Sequence, residues 1–221
     1  MKESALILFL KYPKPGEIKT RLTVTLGDDL GYQLYLCFLK DIAAMTHQVN
    51  AQTVIVYSGP ANASFPDFPG IQCIEQRGSD IGQRMFFAMQ DVFAQGFERL
   101  VLMGSDIPDL QAGLINDAFE ILRSVDIVLG PSTDGGYYLV GVNRNSLSRS
   151  MFSGIPWSTA RVFSETLKRI AEAELASAEL QPWSDIDDFD DLKQFYERNR
   201  NESALSHVMH FLKTKGIIHE A

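Results

Sequence analysis

A mainly parallel, twisted α/β sheet of the Rossmann-like kind, with helices on both faces, is the fold this sequence predicts. Three observations carry that reading. Short continuous apolar runs alternate with stretches of helical periodicity along the whole chain. The apolar runs stop abruptly at Gly, Ser, Pro or charged residues, as buried parallel strands do. The unusual motifs lie just after those runs, and open α/β sheets bind ligands outside the carboxyl ends of their strands.

The elements follow in order. Residues 5–10 (ALILFL) form an apolar strand that ends in Lys and Pro. Residues 11–27 read as an irregular loop with two prolines and two glycines. From Asp28 the apolar residues Leu30, Leu34, Phe38, Ile42 and Met45 recur at helical spacing, with two aspartates suited to the positive end of the helix. Residues 53–57 are a β-branched strand closed by Ser58-Gly59-Pro60, and 71–75 a short one. Asp80 caps a helix through Met85, Met89 and Phe93 to Gln95, where Gly96 stops it. A strand at 99–103 leads to a helix at 111–123, with Asp109 as its N-cap. Strands at 126–129 and 137–142 flank the loop 130–136, and helices follow at 159–175, 188–199 and 202–214. For the first of these, Ser158 or Thr159 is the expected cap.

The chain has 221 residues, 45% of them hydrophobic and 22% charged, and no linker, repeat or low-complexity tract. One domain over 1–221 is the expectation. A formal charge of −8 argues against nucleic acid as a partner. A small anion is a different matter, because Lys11, Lys14, Lys19 and Arg21 gather in one short stretch. Cys37 and Cys73 lack any CxxC or His companion and read as buried thiols. The N-terminal apolar run is short and lacks a small-residue cleavage site, and no stretch approaches a membrane span. The expected location is the cytoplasm, away from membranes.

Four constellations carry chemistry. In the first loop Gly16 permits a tight turn, and Lys11, Lys19 and Arg21 are suited to phosphate oxygens. Neither GxxxxGK[ST] nor GxGxxG is present. In Gly104-Ser105-Asp106-Ile107-Pro108-Asp109, Asp106 sits where a strand ends, and a divalent cation is one way to satisfy such a carboxylate. In Asp134-Gly135-Gly136-Tyr137 the paired glycines allow close backbone approach, and Asp134 is suited to sugar hydroxyls or to orienting an acceptor. The fourth, Asp185-Ile186-Asp187-Asp188-Phe189-Asp190-Asp191, holds five aspartates in seven positions. Asp188 and Asp191 have capping-box spacing and Asp190 lies in the first turn. Asp185 and Asp187 alternate with Ile186, so both face away from the core as candidate metal ligands. His207 and His210 share a helix face without a third ligand and read as surface residues.

Taken together, the ordered motifs Lys11–Leu22, Gln76–Met85, Gly104–Leu110, Gly130–Leu139, Pro156–Thr159 and Asp185–Leu192 resemble the bacterial radical-SAM/selenodomain-associated transferases designated DUF2064. That family belongs to the nucleotide-diphospho-sugar transferase superfamily, with its GT-A-like fold. It is similar, more distantly, to the 2-phospholactate guanylyltransferases. Ile81, Gln83 and Asp188-Phe189 depart mildly from the family pattern.

The resemblance implies a metal-dependent transferase using Mg²⁺ or Mn²⁺. Its principal reading is glycosyl transfer from a nucleotide sugar. Nucleotidyl transfer from a nucleoside triphosphate is the alternative, and a non-catalytic nucleotide-binding module the second alternative. Asp106 would bind the metal with Asp187 or Asp185. Lys11, Gly16, Lys19, Arg21, Gln76, Gly78, Arg84 and Ser105 would line the nucleotide. Asp134, Gly135, Gly136 and Tyr137 would receive the sugar or acceptor. Asp106, Asp134 and Lys19 are the residues expected to act in the chemistry. The expected partners are a nucleotide or nucleotide sugar and an acceptor of open identity, with a homodimer allowed.

Overall fold

The computed structural model describes residues 2–201 and 206–218. Its centre is a seven-stranded sheet built from β1 (Lys2–Lys11), β2 (Gln52–Ser58), β3 (Gln72–Glu75), β4 (Phe97–Met103), β5 (Ile127–Pro131), β6 (Tyr137–Asn143) and β7 (Ser177–Glu179). The spatial order is β3-β2-β1-β4-β6-β5-β7. Parallel pairing joins β3, β2, β1 and β4, and β5 with β7; only β6 runs antiparallel, to both β4 and β5.

The helices are α1 (Thr20–Leu26), α2 (Asp28–Thr46), α3 (Ile81–Phe93), α4 (Ala112–Ile121), α5 (Val162–Glu172), α6 (Phe189–Asn199) and α7 (His207–Lys215). Strand periodicity distributes them over two faces. In β1, Leu6, Leu8 and Leu10 enter one core with residues of α2, α4, α6 and α7, while Ala5 and Ile7 enter the other with α3 and α5. The expectation of a mainly parallel sheet with helices on both faces holds.

The differences from the sequence reading have local causes. The first loop is interrupted by α1, a seven-residue helix that buries only Leu22 and whose β-branched threonines and valine conceal its period. β7 is a three-residue edge strand, too short and exposed to leave a pattern. Asp109 does not cap α4: Gln111 holds that position without a side-chain bond, and Asp109 instead accepts from Arg198 Nε (2.6 Å) and Asn199 Nδ2 (2.8 Å). The charged Arg198 guanidinium, with the neutral Asn199 amide beside it, wins the carboxylate. α5 begins at Val162, and Ser158 lies at φ 64, outside any capping geometry. By contrast, Asp80 caps α3 by accepting from Gln83 N, and the Asp188–Asp191 capping box of α6 forms in full. α7 is capped by Ser206, and positions 202–205 of the expected last helix lie outside the described residues.

The return from β6 to β7 is tied down by one carboxylate. Asp126 Oδ1 accepts from Ser146 Oγ (2.6 Å) and Oδ2 from Ala176 N (2.9 Å). Those two bonds favour the charged form and hold its carboxyl below the usual range. Because the folded group ionises more readily than the unfolded one, its stabilisation is complete above about pH 4 and fades as pH falls through the carboxylate range. Asp126→Asn is expected to lower stability at pH 7 by about 1 kcal/mol. Urea unfolding at pH 7 and pH 3 should show that difference shrinking in acid; a constant difference would refute the ionised contact.

Candidate functional site

The carboxyl ends of β1, β2 and β4 surround a cavity of about 410 Å³. Its charged lining residues are Lys11, Glu17, Lys19, Arg21, Arg84, Asp106 and Asp187, with the uncharged Ser58 and Gln76 also present.

The first loop leaves β1 at Lys11 and is held to the end of β2 by Tyr12 N donating to Ser58 O at 2.7 Å. Gly16, at φ 74, completes the turn in which Glu17 N returns to Lys14 O. Glu17 then receives both neighbouring lysines: Lys14 pairs with its carboxylate and Lys11 Nζ donates to its carbonyl. The Lys14 hydrogen bond, chiefly, holds the Glu17 carboxyl below its ordinary value.

Lys19 follows in the left-handed conformation, φ 47 and ψ 43, at the foot of α1. A non-glycine residue there carries strain of about 1–3 kcal/mol. The conformation sends its side chain inward, where only 6% is exposed. The ammonium pairs with Asp106 Oδ1 at 2.5 Å, donates to Ile186 O at 2.6 Å, and stands 3.6 Å from Asp187 Oδ1. Arg21, 74% exposed on α1, reaches Asp187 Oδ2 at 3.6 Å. Lys19 is therefore placed against two carboxylates, not turned outward as a free phosphate ligand.

Asp106 arrives from β4 and Asp187 from the segment preceding α6. Ile186 N donates to Asp106 O at 2.9 Å, which joins the two segments directly. Ile186 is fully buried between its aspartate neighbours, as the alternation requires. Both carboxylates remain open to the cavity, at 45% and 42% exposure. Burial raises the Asp187 carboxyl, Lys19 opposes that shift and the Asp106 charge adds to it. Beneath them the Tyr35 hydroxyl contacts Ser105 Oγ at 3.0 Å and donates to Lys11 O at 3.0 Å, bracing β1 against the turn after β4. Burial pushes that phenol up, so it remains a neutral donor.

Asp185 is elsewhere. Its Oδ1 accepts from Ser132 Oγ at 3.0 Å, and burial followed by the charge of Asp134 raises its carboxyl. Of the two expected companions of Asp106, Asp187 shares Lys19 with it and Asp185 does not, and among the described residues no three His, Cys, Asp or Glu side chains converge. Asp134 Oδ1 accepts from Gly136 N at 2.8 Å, closing its loop locally. Gly135 is required there: at φ 89, an added Cβ would sit 2.3 Å from Ala160 O. Tyr137 turns away into the core against α3, its ring 6.4 Å from that of Trp157. Neither Asp134, Gly135, Gly136 nor Tyr137 lines the cavity.

Gln76, Arg84 and Ser105 do line it, and Gly78, at φ 128, accepts from Arg84 Nε at 3.2 Å. Tyr35, Ser58, Thr20 and Ile81 also contribute, with no local signal to single them out. Cys37 and Cys73 are free and half-buried, as two unpaired thiols. His207 lies against Asp41 at 2.8 Å and does not line the cavity. No described helix is long and apolar enough to cross a membrane.

The fold is the one shared by nucleotide-diphospho-sugar transferases. A Desulfovibrio desulfuricans G20 protein assigned as such a transferase is 37% identical, covers 98% of this chain and 96% of its own, and superposes with a TM-score of 0.91. The chain belongs to the family described as "Uncharacterized protein conserved in bacteria (DUF2064)", matched over residues 41–159. The match does not extend to the radical-SAM gene association. Over 219 residues the chain is also 22% identical to the 2-phospho-L-lactate guanylyltransferase of Methanocaldococcus vulcanius, covering 96% of this chain and 92% of that protein. Rv0371c of Mycobacterium tuberculosis H37Rv, crystallised as a complex with manganese, shares the fold at a TM-score of 0.53 and 16% identity, over 89% of this chain and 99% of its own. The first and third comparisons carry transferase names, and the expectation of a transferase is borne out at that level.

The central ion cluster is testable by itself. Lys19→Met and Asp106→Asn, combined in a double-mutant cycle read by urea unfolding at pH 7, are expected to couple by about 1–3 kcal/mol. Additive losses would show that the contact contributes nothing.

Proposed function

We propose that this protein is a nucleotidyltransferase that takes a nucleoside triphosphate and transfers its nucleoside monophosphate to a small acceptor, releasing pyrophosphate. The observation that carries the reading is the composition of one cavity. Lys11, Lys19, Arg21 and Arg84 line it together with the Asp106, Asp187 and Glu17 carboxylates, the last of them paired with Lys14, at the carboxyl edge of the sheet. Four cations suit the charge of a triphosphate better than that of a nucleotide sugar, whose phosphates carry less. The guanylyltransferase name of a relative matched along nearly its whole length supports the same choice.

The donor set fits a divalent cation. Asp106 and Asp187 already flank one positive charge, the Lys19 ammonium, and both open to the cavity. Mg²⁺ or Mn²⁺ commonly binds through one or two carboxylates, with water and substrate phosphates completing its shell. Held by Asp106 and Asp187, such an ion would supply charge neutralisation at the phosphates. The manganese complex of a protein of the same fold is consistent with that use.

The chain's own groups do the remainder. Arg21, exposed on α1, is placed to close on phosphate oxygens with its planar fork. Lys19, once the carboxylates have another cation, is within reach of the same oxygens. These charges stabilise the developing negative charge as an acceptor oxygen bonds to the α-phosphorus and the bond to pyrophosphate breaks. Asp134 and Asp185, which lie together beside Ser132 and outside the cavity lining, are the groups we assign to orienting the acceptor.

A nucleotide-sugar donor is the second reading, favoured by the assignment of the 37%-identical relative. Thermal shift of the full chain with nucleoside triphosphates and nucleotide sugars, with Mg²⁺, Mn²⁺ or EDTA, separates the two. Stabilisation by a triphosphate that needs the metal, with pyrophosphate released on adding an acceptor, is expected. Stabilisation by nucleotide sugars alone would overturn the proposal in favour of the second reading. Arg21→Ala should weaken triphosphate binding by about 1.5–3 kcal/mol and nucleoside binding hardly at all. Equal losses would place Arg21 in the fold instead.

A further inference from the structure

Asp109 lies three residues after Asp106, does not line the cavity and leaves α4 without a side-chain cap. Its side chain is only 10% exposed, and a carboxylate is costly there unless donors surround it. Four donors do. Oδ1 accepts from Arg198 Nη2 at 3.1 Å and from the Trp183 indole Nε1 at 3.3 Å. Oδ2 accepts from Arg198 Nε at 2.6 Å and Asn199 Nδ2 at 2.8 Å. Arg198 Nη2 also donates to Ser184 O at 3.0 Å. One charged pair thus binds the turn after β4, the approach to α6 and the last turn of α6 itself.

These contacts are in register with one at the cavity. Ile186 N donates to Asp106 O at 2.9 Å, so Asp106 stands opposite Ile186 and Asp109 opposite Trp183. The two segments therefore run antiparallel and are tied at both ends. Asp106 occupies one corner of this frame, and Asp187 directly follows Ile186 at the other. A single hydrogen bond between Asp106 and Ile186 would let one segment pivot about the other. Lys19 cannot stop that pivot, because it binds Asp106 and the Ile186 carbonyl at the same corner. The tie three residues away can.

We infer that Asp109 and Arg198 are positioning residues that set the separation of the Asp106 and Asp187 carboxylates, and so the fit of a small divalent cation between them. The inference rests on the reading of those two carboxylates as metal ligands and adds the remote contact that shapes the pair. Neither Asp109 nor Arg198 lines the cavity, so both act through the segments they join. Groups that orient metal ligands from outside contribute about 10–100-fold in metal affinity. Mg²⁺ demands near-ideal geometry at about 2.0–2.1 Å, whereas Ca²⁺ accepts flexible arrangements at about 2.3–2.6 Å. A loosened frame therefore costs Mg²⁺ more than Ca²⁺.

The test is isothermal titration of the full chain with Mg²⁺ and with Ca²⁺, each without nucleotide, beside a thermal melt without metal. Arg198→Lys keeps the charge but loses the fork that reaches Asp109 and Ser184 together. It is expected to weaken Mg²⁺ about tenfold and Ca²⁺ about threefold or less. Asp109→Asn should lose at least as much, and Arg198→Lys carries the test if that variant does not fold. Asp41→Asn is the matched control, because its carboxylate is also 10% exposed and holds α7 on α2. It accepts from Ser206 Oγ at 2.6 Å and His207 N at 2.7 Å, and touches neither segment of the frame. Asp41→Asn should melt earlier yet bind both ions within about twofold of the native chain. Native Mg²⁺ affinity in Arg198→Lys, equal losses of the two ions, or an equal loss in Asp41→Asn would overturn the positioning role while leaving the metal site standing. If the native chain binds neither ion, or Asp106→Asn binds both as tightly as it does, the metal reading and the positioning role fall together.

Discussion

Three stretches of chain distant in sequence meet at one ammonium group. Lys19 binds Asp106 and the carbonyl of Ile186 and lies near Asp187, so the first loop, the end of β4 and the approach to α6 share a single charge. Take that charge away and two carboxylates face each other across a half-buried space with only exposed Arg21 beside them. The strained backbone at Lys19 follows from this. A relaxed αR or extended residue would aim the side chain elsewhere, and the electrostatic gain offsets the conformational cost. The same contact makes the site self-compensating: the anionic pair carries its own cation.

The reversal of β6 is what brings that approach segment into place. Had β6 run parallel, a crossover would have been needed, and the chain beyond β5 would have left the carboxyl edge. The antiparallel pairing lets β5 and β6 meet through a tight loop at Ser132–Gly136 on that edge. Leu180 N bonds Leu129 O, Trp183 N bonds Pro131 O, and Ile186 N bonds Asp106 O. The chain from β7 thus travels along the strand ends toward β4, carrying Asp185 past Ser132 and Asp187 to Lys19.

Much of this was legible because each feature is local. Continuous apolar runs announced β1, β2 and β4, and Asp80 and the Asp188–Asp191 pair announced their helix starts, since a cap is written within four residues. Asp106 stood out because it sits where a strand ends, and Asp185 and Asp187 because capping could not use them. What stayed hidden depends on partners far along the chain. Asp109 looks like a cap until Arg198, on a helix 89 residues later, claims it. Tyr35 looks like one more apolar position of α2 until its hydroxyl reaches Lys11 and Ser105. Lys19 looks like a solvated phosphate ligand because neither its left-handed backbone nor its buried head has a sequence signature.

The five aspartates before and within the start of α6 show how one charged run can be divided by geometry. Asp188 and Asp191 spend their oxygens on backbone amides, Asp191 accepting from the N–H groups of both Asp187 and Asp188. Those bonds fix the backbone at Asp187, so a capping residue determines where a cavity residue points. Ile186, buried completely, fixes the other side and forces Asp185 and Asp187 onto the open face. Their separation then assigns them to different neighbours, Asp185 to Ser132 and Asp134, and Asp187 to Lys19 and Arg21. Two carboxylates one residue apart on either side of a buried isoleucine cannot readily share a small ion with Asp106 unless Asp185 leaves Ser132. The arrangement instead sets two anionic centres side by side, one compensated by cations and one bonded to a hydroxyl and repelled by a neighbouring carboxylate. An anionic group meets less repulsion at the first than at the second, which gives the site an electrostatic direction along the strand ends.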